Sequence, residues 1–156
     1  MLARIRKSME EKDQGFTLIE LLVVMIIIGI LAAIAIPVFL NQRKRAVDSS
    51  IKSDLRTVAN EMETYYTDNQ AYNFTTASTA ASSTVTLAAG VTVKVSSGNA
   101  VAGYPLTTTG TAAADWASAT GYCLQGANTK GTGTMITYNS VSGGLATGGA
   151  KCPGAP

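Results

Sequence analysis

The sequence predicts an α+β fold in which one long N-terminal helix packs on a small antiparallel β-sheet head. Two observations predict the helix: an apolar run at Phe16–Leu40 and, after it, apolar residues that recur every three or four positions. A third observation predicts the sheet, because Thr67–Pro156 holds short, alternating valine stretches between Gly- and Thr-rich connections. We expect the helix to be apolar all round in its first half and amphipathic in its second.

The apolar run Phe16–Leu40 has 25 residues and a single charge, Glu20. As a helix rising ~1.5 Å per residue it would extend roughly 37 Å, enough to cross a hydrocarbon core of ~30 Å with some tilt. It is longer than the apolar region of an ordinary secretory signal peptide. Gly29 and Pro37 weaken it, because glycine lowers helix propensity by roughly 1 kcal/mol and proline removes a backbone donor. The run therefore predicts a membrane-spanning helix with two weak points.

The amphipathic continuation is predicted by six apolar residues on one helix face. They are Val47, Ile51, Leu55, Val58, Met62 and Tyr65. Spacings of three and four place them on a single stripe, with polar residues elsewhere. We expect the helix to continue to about Tyr66 and to lay this stripe against a folded domain.

The remainder of the chain predicts short strands. Val85–Leu87 and Val91–Val95 alternate around Ala88-Ala89-Gly90 and predict a hairpin, and Tyr122–Gln125 and Met135–Tyr138 predict two further strands. Thr75–Thr84 is interpreted as a loop, Ala112–Ala119 as a short helical turn that holds Trp116, and Cys152–Pro156 as a turn or a tail. The alternative, partial disorder over residues 75–150, is disfavoured by the alternating valines and the aromatic residues.

Composition argues against several classes of function. The chain has no His, which removes the commonest general base and metal ligand. Beyond the helix only Asp68 and Asp115 carry carboxylates, and no G-x-S-x-G motif is present. The net charge is +2, and the head offers only Lys94, Lys130 and Lys151 as cations for a nucleic acid. We expect no enzyme, no metal site and no cofactor, and any surface or DNA ligand is left open.

The string Gly15-Phe16-Thr17-Leu18-Ile19-Glu20 lies where the polar N-terminal residues give way to the apolar run. It resembles the prepilin motif of type IV pilins, specifically over Gly15–Leu40, moderately through Tyr72 and little beyond. The resemblance implies that a prepilin peptidase cleaves between Gly15 and Phe16 on the cytoplasmic side and that Phe16 is then N-methylated. Gly15 suits this position because a residue without Cβ lets a protease approach the backbone closely. The alternative is a membrane helix that begins with Gly-Phe by chance.

What the resemblance implies is a structural filament subunit, a type IVa-like major pilin that forms a homopolymer. It implies four segments: a leader at 1–15, a transmembrane and filament-core helix at 16–40, its amphipathic continuation at 41–66 and an exported head at 67–156. It also implies membrane lipid as surroundings before assembly, and an assembly platform with its ATPase as partners. The alternative function is a pseudopilin of a type II secretion or DNA-uptake system. The C-terminal cysteines and the absence of an acidic cluster in the head favour the pilin.

Glu20 is the candidate register residue. A carboxylate in an apolar run costs several kcal/mol unless it is paired or protonated. The resemblance implies that in the filament Glu20 pairs with the new α-ammonium of Phe16 on a neighbouring subunit, which fixes the stagger of the helices. The alternative is a carboxylate that simply lies near the lipid headgroups.

Gly29 and Pro37 match positions between which helical order can be lost in assembled fibres of this family. The resemblance therefore implies an extensible filament. The alternative is a plain kink, which membrane helices tolerate at such residues.

Cys123 and Cys152 enclose about 28 residues, and closing such a loop would stabilise the head by ~3–4 kcal/mol. Oxidised pairs are typical of exported chains. Many pilins close a C-terminal loop with one disulfide, so the resemblance implies the same pairing here. The alternative, a redox-active pair, is disfavoured because the C-x-x-C form is absent.

Basic residues on both sides of the apolar run leave its orientation open by charge alone: Arg4, Arg6, Lys7 and Lys12 before it, and Arg43, Lys44 and Arg45 after it. We place the N-terminus inside, because the resemblance implies cytoplasmic cleavage and the cysteines suit an oxidising exterior. The Arg43–Arg45 cluster is expected to contact either lipid headgroups or acidic residues of a neighbour, with Asp48 and Asp54 as candidates.

Overall fold

The computed structural model describes residues 15–79, 81–87 and 90–156. The expected leader, apart from Gly15, and its four basic residues lie outside the described residues. The chain divides into two compact units, one up to Leu40 and one at Asn41–Pro156.

The described chain contains one long helix and seven strands. Helix α1 spans Leu18–Asn69 and has Pro37 inside it. The strands are β1 (Phe74–Thr76), β2 (Thr84–Leu87), β3 (Thr92–Lys94), β4 (Ala100–Leu106), β5 (Gly121–Ala127), β6 (Ile136–Asn139) and β7 (Gly144–Thr147). They form a three-stranded sheet in the order β1-β2-β3 and a four-stranded sheet in the order β4-β5-β6-β7, with every neighbouring pair antiparallel. The predicted α+β fold is confirmed.

The first unit consists, in its described part, of the apolar half of α1. Its large apolar side chains are exposed along the whole length, with Phe16 at 83% and Met25 at 72%. Its most apolar 18-residue window has a mean hydropathy of 3.1 and no buried residue, and α1 is the one helix among the described residues that is long and apolar enough to span a membrane. No described residue of this unit covers the apolar surface. A helix that is apolar all round is suited to contact lipid or other helices.

The second unit has one main core, built by the second half of α1 and both sheets. Four residues of the predicted stripe are fully buried there: Ile51, Leu55, Val58 and Met62. They pack in one cluster with buried side chains of both sheets, among them Val85, Leu87, Tyr122 and Leu124. The predicted amphipathic stripe is confirmed.

Gly126 of β5 shows how closely the helix approaches the larger sheet. A Cβ at this position would overlap the Cγ2 atom of Ile51 and come within 3.3 Å of the Cγ atom of Leu55. Any larger residue would therefore push α1 away from β5.

Most strand predictions are confirmed. The predicted hairpin is the β2–β3 pair with Val85 opposite Val93, and the two later strands are β5 and β6 with Leu124 opposite Tyr138. The C-terminal turn is present, because the Ala155 amide donates to the Cys152 carbonyl at 3.0 Å.

Other predictions need correction. The helix ends at Asn69 rather than near Tyr66, and Gln70 follows it in the left-handed region with φ of 54°. The Thr75–Thr84 loop is wrong at both ends, where β1 ends and β2 begins. The helical turn at Ala112–Ala119 is wrong as well: Asp115 accepts the Ser118 amide at 2.8 Å and holds this stretch in a non-helical turn. Strands β1, β4 and β7 were not predicted.

Candidate functional site

The residues of the predicted cleavage site lie ahead of the first helical residue, Leu18. Gly15 and Phe16 are both exposed and neither belongs to a helix or strand. A Cβ at Gly15 would meet nothing within 4 Å, so packing within the described chain does not require glycine there. A requirement for glycine at this position would have to come from another molecule.

Glu20 and Thr17 form a reciprocal cap at the start of α1. The Thr17 amide and the Thr17 hydroxyl each donate to Glu20 Oε2 at 2.8 Å, and the Glu20 amide donates to Thr17 Oγ1 at 3.3 Å. This is a capping box, which satisfies backbone donors at the helix start. Its T-x-x-E signal stands in the sequence but was not used in the sequence-based prediction. Glu20 is therefore exposed but already hydrogen-bonded within its own chain, which lowers the cost of placing it among apolar residues.

Gly29 and Pro37 lie inside the continuous helix α1. A Cβ at Gly29 would meet nothing within 4 Å. The helix thus accommodates both residues in this conformation, and extensibility between them stays a prediction.

In the second unit, Asp54 is a buried carboxylate, 8% exposed, that joins the helix to the connection between β3 and β4. It accepts the Ser96 amide at 2.9 Å, the Ser96 hydroxyl at 3.1 Å and the Asn99 side-chain amide at 2.6 Å. Asn99 in turn accepts from the Asn128 side-chain amide at 2.6 Å. Every buried side-chain oxygen and nitrogen among the described residues has a partner. The network therefore compensates the burial of the charge.

Asp48 is also engaged within its own chain. It accepts the Thr132 amide at 3.1 Å and the Thr132 hydroxyl at 2.6 Å, which ties the β5–β6 connection to the helix. The expectation that Asp48 and Asp54 serve a neighbour's basic cluster is therefore wrong for Asp54, which is buried. Asp48 is partly exposed and each of its oxygens accepts one hydrogen bond from Thr132, so its pairing with a neighbour stays a prediction.

Near the end of the helix, Glu63 binds two tyrosine hydroxyls. Tyr122 donates to Glu63 Oε1 at 2.9 Å and lies 3.1 Å from the Ala59 carbonyl, and Tyr72 donates to Glu63 Oε2 at 3.3 Å. The Tyr72 and Tyr122 rings meet edge to face at 5.1 Å. Burial first, and the Glu63 carboxylate second, raise the pKa of Tyr72 to about 12, and burial with the bond to Glu63 raises the pKa of Tyr122 further.

These raised pKa values predict a loss of stability in alkali. A tyrosine whose pKa is higher in the folded chain stabilises it fully below the ordinary value of 10.0, and this stabilisation is lost as the pH rises through the folded value. We expect the urea midpoint of the full chain in detergent to fall between pH 10 and about 12. The urea midpoint of the variant Tyr72→Phe/Tyr122→Phe should fall much less over the same pH interval. Tyr104→Phe is the matched control, and its urea midpoint should fall with pH like that of the unaltered chain. If its midpoint changed as little as that of the double variant, the assignment of the alkaline loss to Tyr72 and Tyr122 would be contradicted.

The two cysteines are joined, as predicted. Cys123 of β5 and Cys152 are bonded with Cα atoms 5.7 Å apart, and both are buried. They pack with Leu106 in a second small core. The Cys152 amide also donates to the Gln125 side chain at 3.3 Å. The disulfide therefore holds the last residues of the chain against the four-stranded sheet.

Comparison with known proteins points to the same N-terminal segment. The prokaryotic N-terminal methylation motif matches residues 12–36, which include the capping box and much of the exposed apolar helix. The described residues 15–36 thus lie within a motif that is named for methylation at the N-terminus.

Several characterised proteins are similar over part of their length. The chain is 40% identical over 62 residues to the type IV major pilin protein PilA of Myxococcus xanthus, and 49% identical over 59 residues to the type IV wide pilus major component PilA4 of Thermus thermophilus. It is 40% identical over 65 residues to the type II secretion system core protein G of Pseudomonas aeruginosa. These matches cover 40%, 38% and 41% of this chain, and 28%, 45% and 46% of the relatives. The chain therefore spans less than half of each relative, and the similarity is to type IV pilins and to the secretion protein alike.

Proposed function

We propose that this chain is a prepilin, the precursor of a structural subunit that polymerises through its N-terminal helix into a type IV pilus. The observation that carries the proposal is the coincidence of the methylation motif at 12–36 with a helix whose apolar side chains are exposed throughout. Similarity to two major pilus components supports it. The proposal gives the chain no catalytic role.

The proposed sequence of events uses the segments 1–15, 16–40, 41–66 and 67–156. Prepilin peptidase removes residues 1–15 and methylates the amino group of Phe16. The segment 16–40 then spans the cytoplasmic membrane, with the head 67–156 outside. An assembly platform and its ATPase transfer the subunit from lipid to the filament, where the same apolar surface contacts other copies. A surface that is exposed in the described unit suits both environments, since lipid tails and apolar helices are alike as surroundings.

Glu20 is proposed to set the register of the filament. In the described chain the Glu20 carboxylate accepts two hydrogen bonds from Thr17, so it has hydrogen-bond partners even in a monomer surrounded by lipid. Cleavage creates a positive amino group on Phe16, and the Glu20 carboxylate of a neighbour is its proposed partner. A wrong stagger would leave one of these charges without its partner in an apolar bundle.

We also propose that the helix loses helical order between Gly29 and Pro37 when the fibre is stretched.

The direct test is the intact mass of the mature protein. We expect it to lack residues 1–15, to carry one added methyl group and to lack two hydrogens at the cysteine pair. Fragmentation should place the methyl on Phe16. A mature chain that still begins before Phe16 would overturn the proposed processing, and two free thiols would contradict an exported head.

The second candidate is a pseudopilin of a secretion or DNA-uptake system, favoured by the similarity to the type II secretion system core protein G. Abundance and length of the assembled material separate the two functions. Long fibres, sheared from the cell surface and dominated by this chain, support the pilus subunit. Retention of the mature chain in the envelope supports the pseudopilin.

A further inference from the structure

Most carboxylates of the described chain are already engaged in its own hydrogen bonds. The described residues include seven, of which five accept a hydrogen bond: Glu20 from Thr17, Asp48 from Thr132, Asp54 from Ser96 and Asn99, Glu63 from Tyr72 and Tyr122, and Asp115 from Ser118. Glu61 and Asp68 accept none from any residue in the described ranges. In the second unit, these two are therefore the carboxylates with no hydrogen-bond donor among the described residues.

Glu61 and Asp68 lie on one flank of the second half of α1. Seven positions separate them, so they lie two turns apart, about 10.5 Å, and within about 20° around the helix. Glu61 is half-buried beside the core stripe and Asp68 is exposed. We call this pair the acidic flank.

A basic pair of the same spacing lies on the opposite flank. Arg45 and Lys52 are also seven positions apart, and Arg45 is exposed while Lys52 is half-buried. Arg45 and Glu61 differ by 16 positions, which places them about 160° apart around the axis at about 100° per residue. Neither Arg45 nor Lys52 donates a hydrogen bond to a described residue. We call this pair the basic flank.

We propose that the acidic flank of one copy of this chain binds the basic flank of a second copy whose helix runs parallel to it. A displacement of 16 residues, about 24 Å along the axis, places Glu61 opposite Arg45 and Asp68 opposite Lys52 at once. Matched spacing thus produces two ion pairs at a single stagger. The inference rests on the proposed filament, because subunits that leave the same membrane in one orientation have parallel helices.

This arrangement is heterologous. Each copy uses its acidic flank for one neighbour and keeps its basic flank for another, so the contact repeats in an open-ended array. Partly exposed ion pairs add little stability each, but juxtaposed like charges oppose a wrong alignment strongly. The two flanks therefore select stagger and partner more than they hold the fibre together.

Charge reversal tests the contact in cells that assemble the unaltered chain. We expect Glu61→Lys/Asp68→Lys to lower the yield of sheared filaments at least about tenfold, since each interface then brings like charges together. Adding Arg45→Glu/Lys52→Glu to the same chain should restore at least half of the yield. Lys94→Glu/Lys151→Glu, at exposed positions of the head outside α1, is the matched control and should assemble normally.

Crosslinking of the unaltered filament provides a second test that no folding defect can obscure. A zero-length carbodiimide reagent should join Lys52 of one copy to Asp68 of another. Within one straight helix these residues are about 24 Å apart, so the link identifies two copies. Its absence, or a Lys52–Glu61 link in its place, would overturn the stagger, and normal assembly of the acidic-flank variant would overturn the contact. If the unaltered chain makes no filaments, it is the proposed function that fails.

Discussion

Replacing Glu20 by alanine is expected to abolish filament assembly while leaving leader removal and membrane insertion intact. The peptidase site, Gly15-Phe16, precedes the helix, and the exposed apolar surface that follows is unchanged by the substitution. What is lost is the proposed partner of the Phe16 amino group, which would be left as an unmatched charge between packed helices. The measurement is the amount of mature chain in the membrane set against the amount in sheared filaments. Normal piliation of this variant would contradict the register role.

The capping box makes a sharper version of this experiment possible. Glu20→Ala removes both the negative charge and the hydrogen bonds to Thr17. This variant alone therefore does not separate the effect of the charge from the effect of the hydrogen bonds. Glu20→Gln keeps an oxygen that can accept from Thr17, as glutamine does in other capping boxes, but carries no charge. We expect Glu20→Gln to fail in assembly like Glu20→Ala, and Thr17→Ala, which keeps the charge, to assemble. Rescue by Glu20→Gln would instead assign the defect to the helix start.

The helix could be predicted from sequence because its signals are local and redundant. Phe16–Leu40 is apolar at almost every position, and Ile51, Leu55, Val58 and Met62 repeat with the period of a helix. The β2–β3 hairpin was predictable for a similar reason, since Val85 and Val93 alternate with threonines on both sides of a short connection.

The missed strands have no such local pattern. In β4 the sequence reads AVAGYPL, where glycine and proline argue against a strand, yet all seven residues pair with β5. Strand β7 reads GLAT between glycines with positive φ, and pairs with β6 through main-chain bonds that any sequence can make. Both strands are held by main-chain pairing with a neighbouring strand, β5 for β4 and β6 for β7, and sequence periodicity does not register such pairing.

The same contrast between local and long-range signals applies to the candidate site. The Gly15-Phe16 motif and Glu20 could be found from sequence because they form a contiguous string. The engagement of Asp54 by Ser96 and Asn99 joins residues 42 and 45 positions apart, so it appeared only in the folded chain. The buried Asp54 is therefore unsuited to pair with a neighbour, whereas Glu61 and Asp68 accept no hydrogen bond from a described residue.

Removing the disulfide is expected to destabilise the head by about 3–4 kcal/mol, because the open chain regains the entropy of a 28-residue loop. In Cys123→Ser/Cys152→Ser the last residues keep only weak anchors, such as the bond from the Cys152 position to Gln125. Two serine hydroxyls would also enter a buried apolar cluster with Leu106. The measurement is urea unfolding of the full chain in detergent, followed by the fluorescence of Trp116, which stacks on Phe74.

Reductant provides the matched control for this variant. Wild-type chain treated with reductant should unfold near the midpoint of Cys123→Ser/Cys152→Ser, whereas the variant itself should not respond, since it has no bond to open. A variant whose free energy of unfolding lies within about 0.5 kcal/mol of that of the oxidised wild type would show that the buried sheet contacts of β5 hold the C-terminal segment without the disulfide. The disulfide lies in the small core with Leu106, whereas the second half of α1 packs in the main core. The variant should therefore still insert into the membrane and be processed. Its defect should appear after export, as proteolysis of the head or loss of surface filaments, which separates it from the defect of Glu20→Ala.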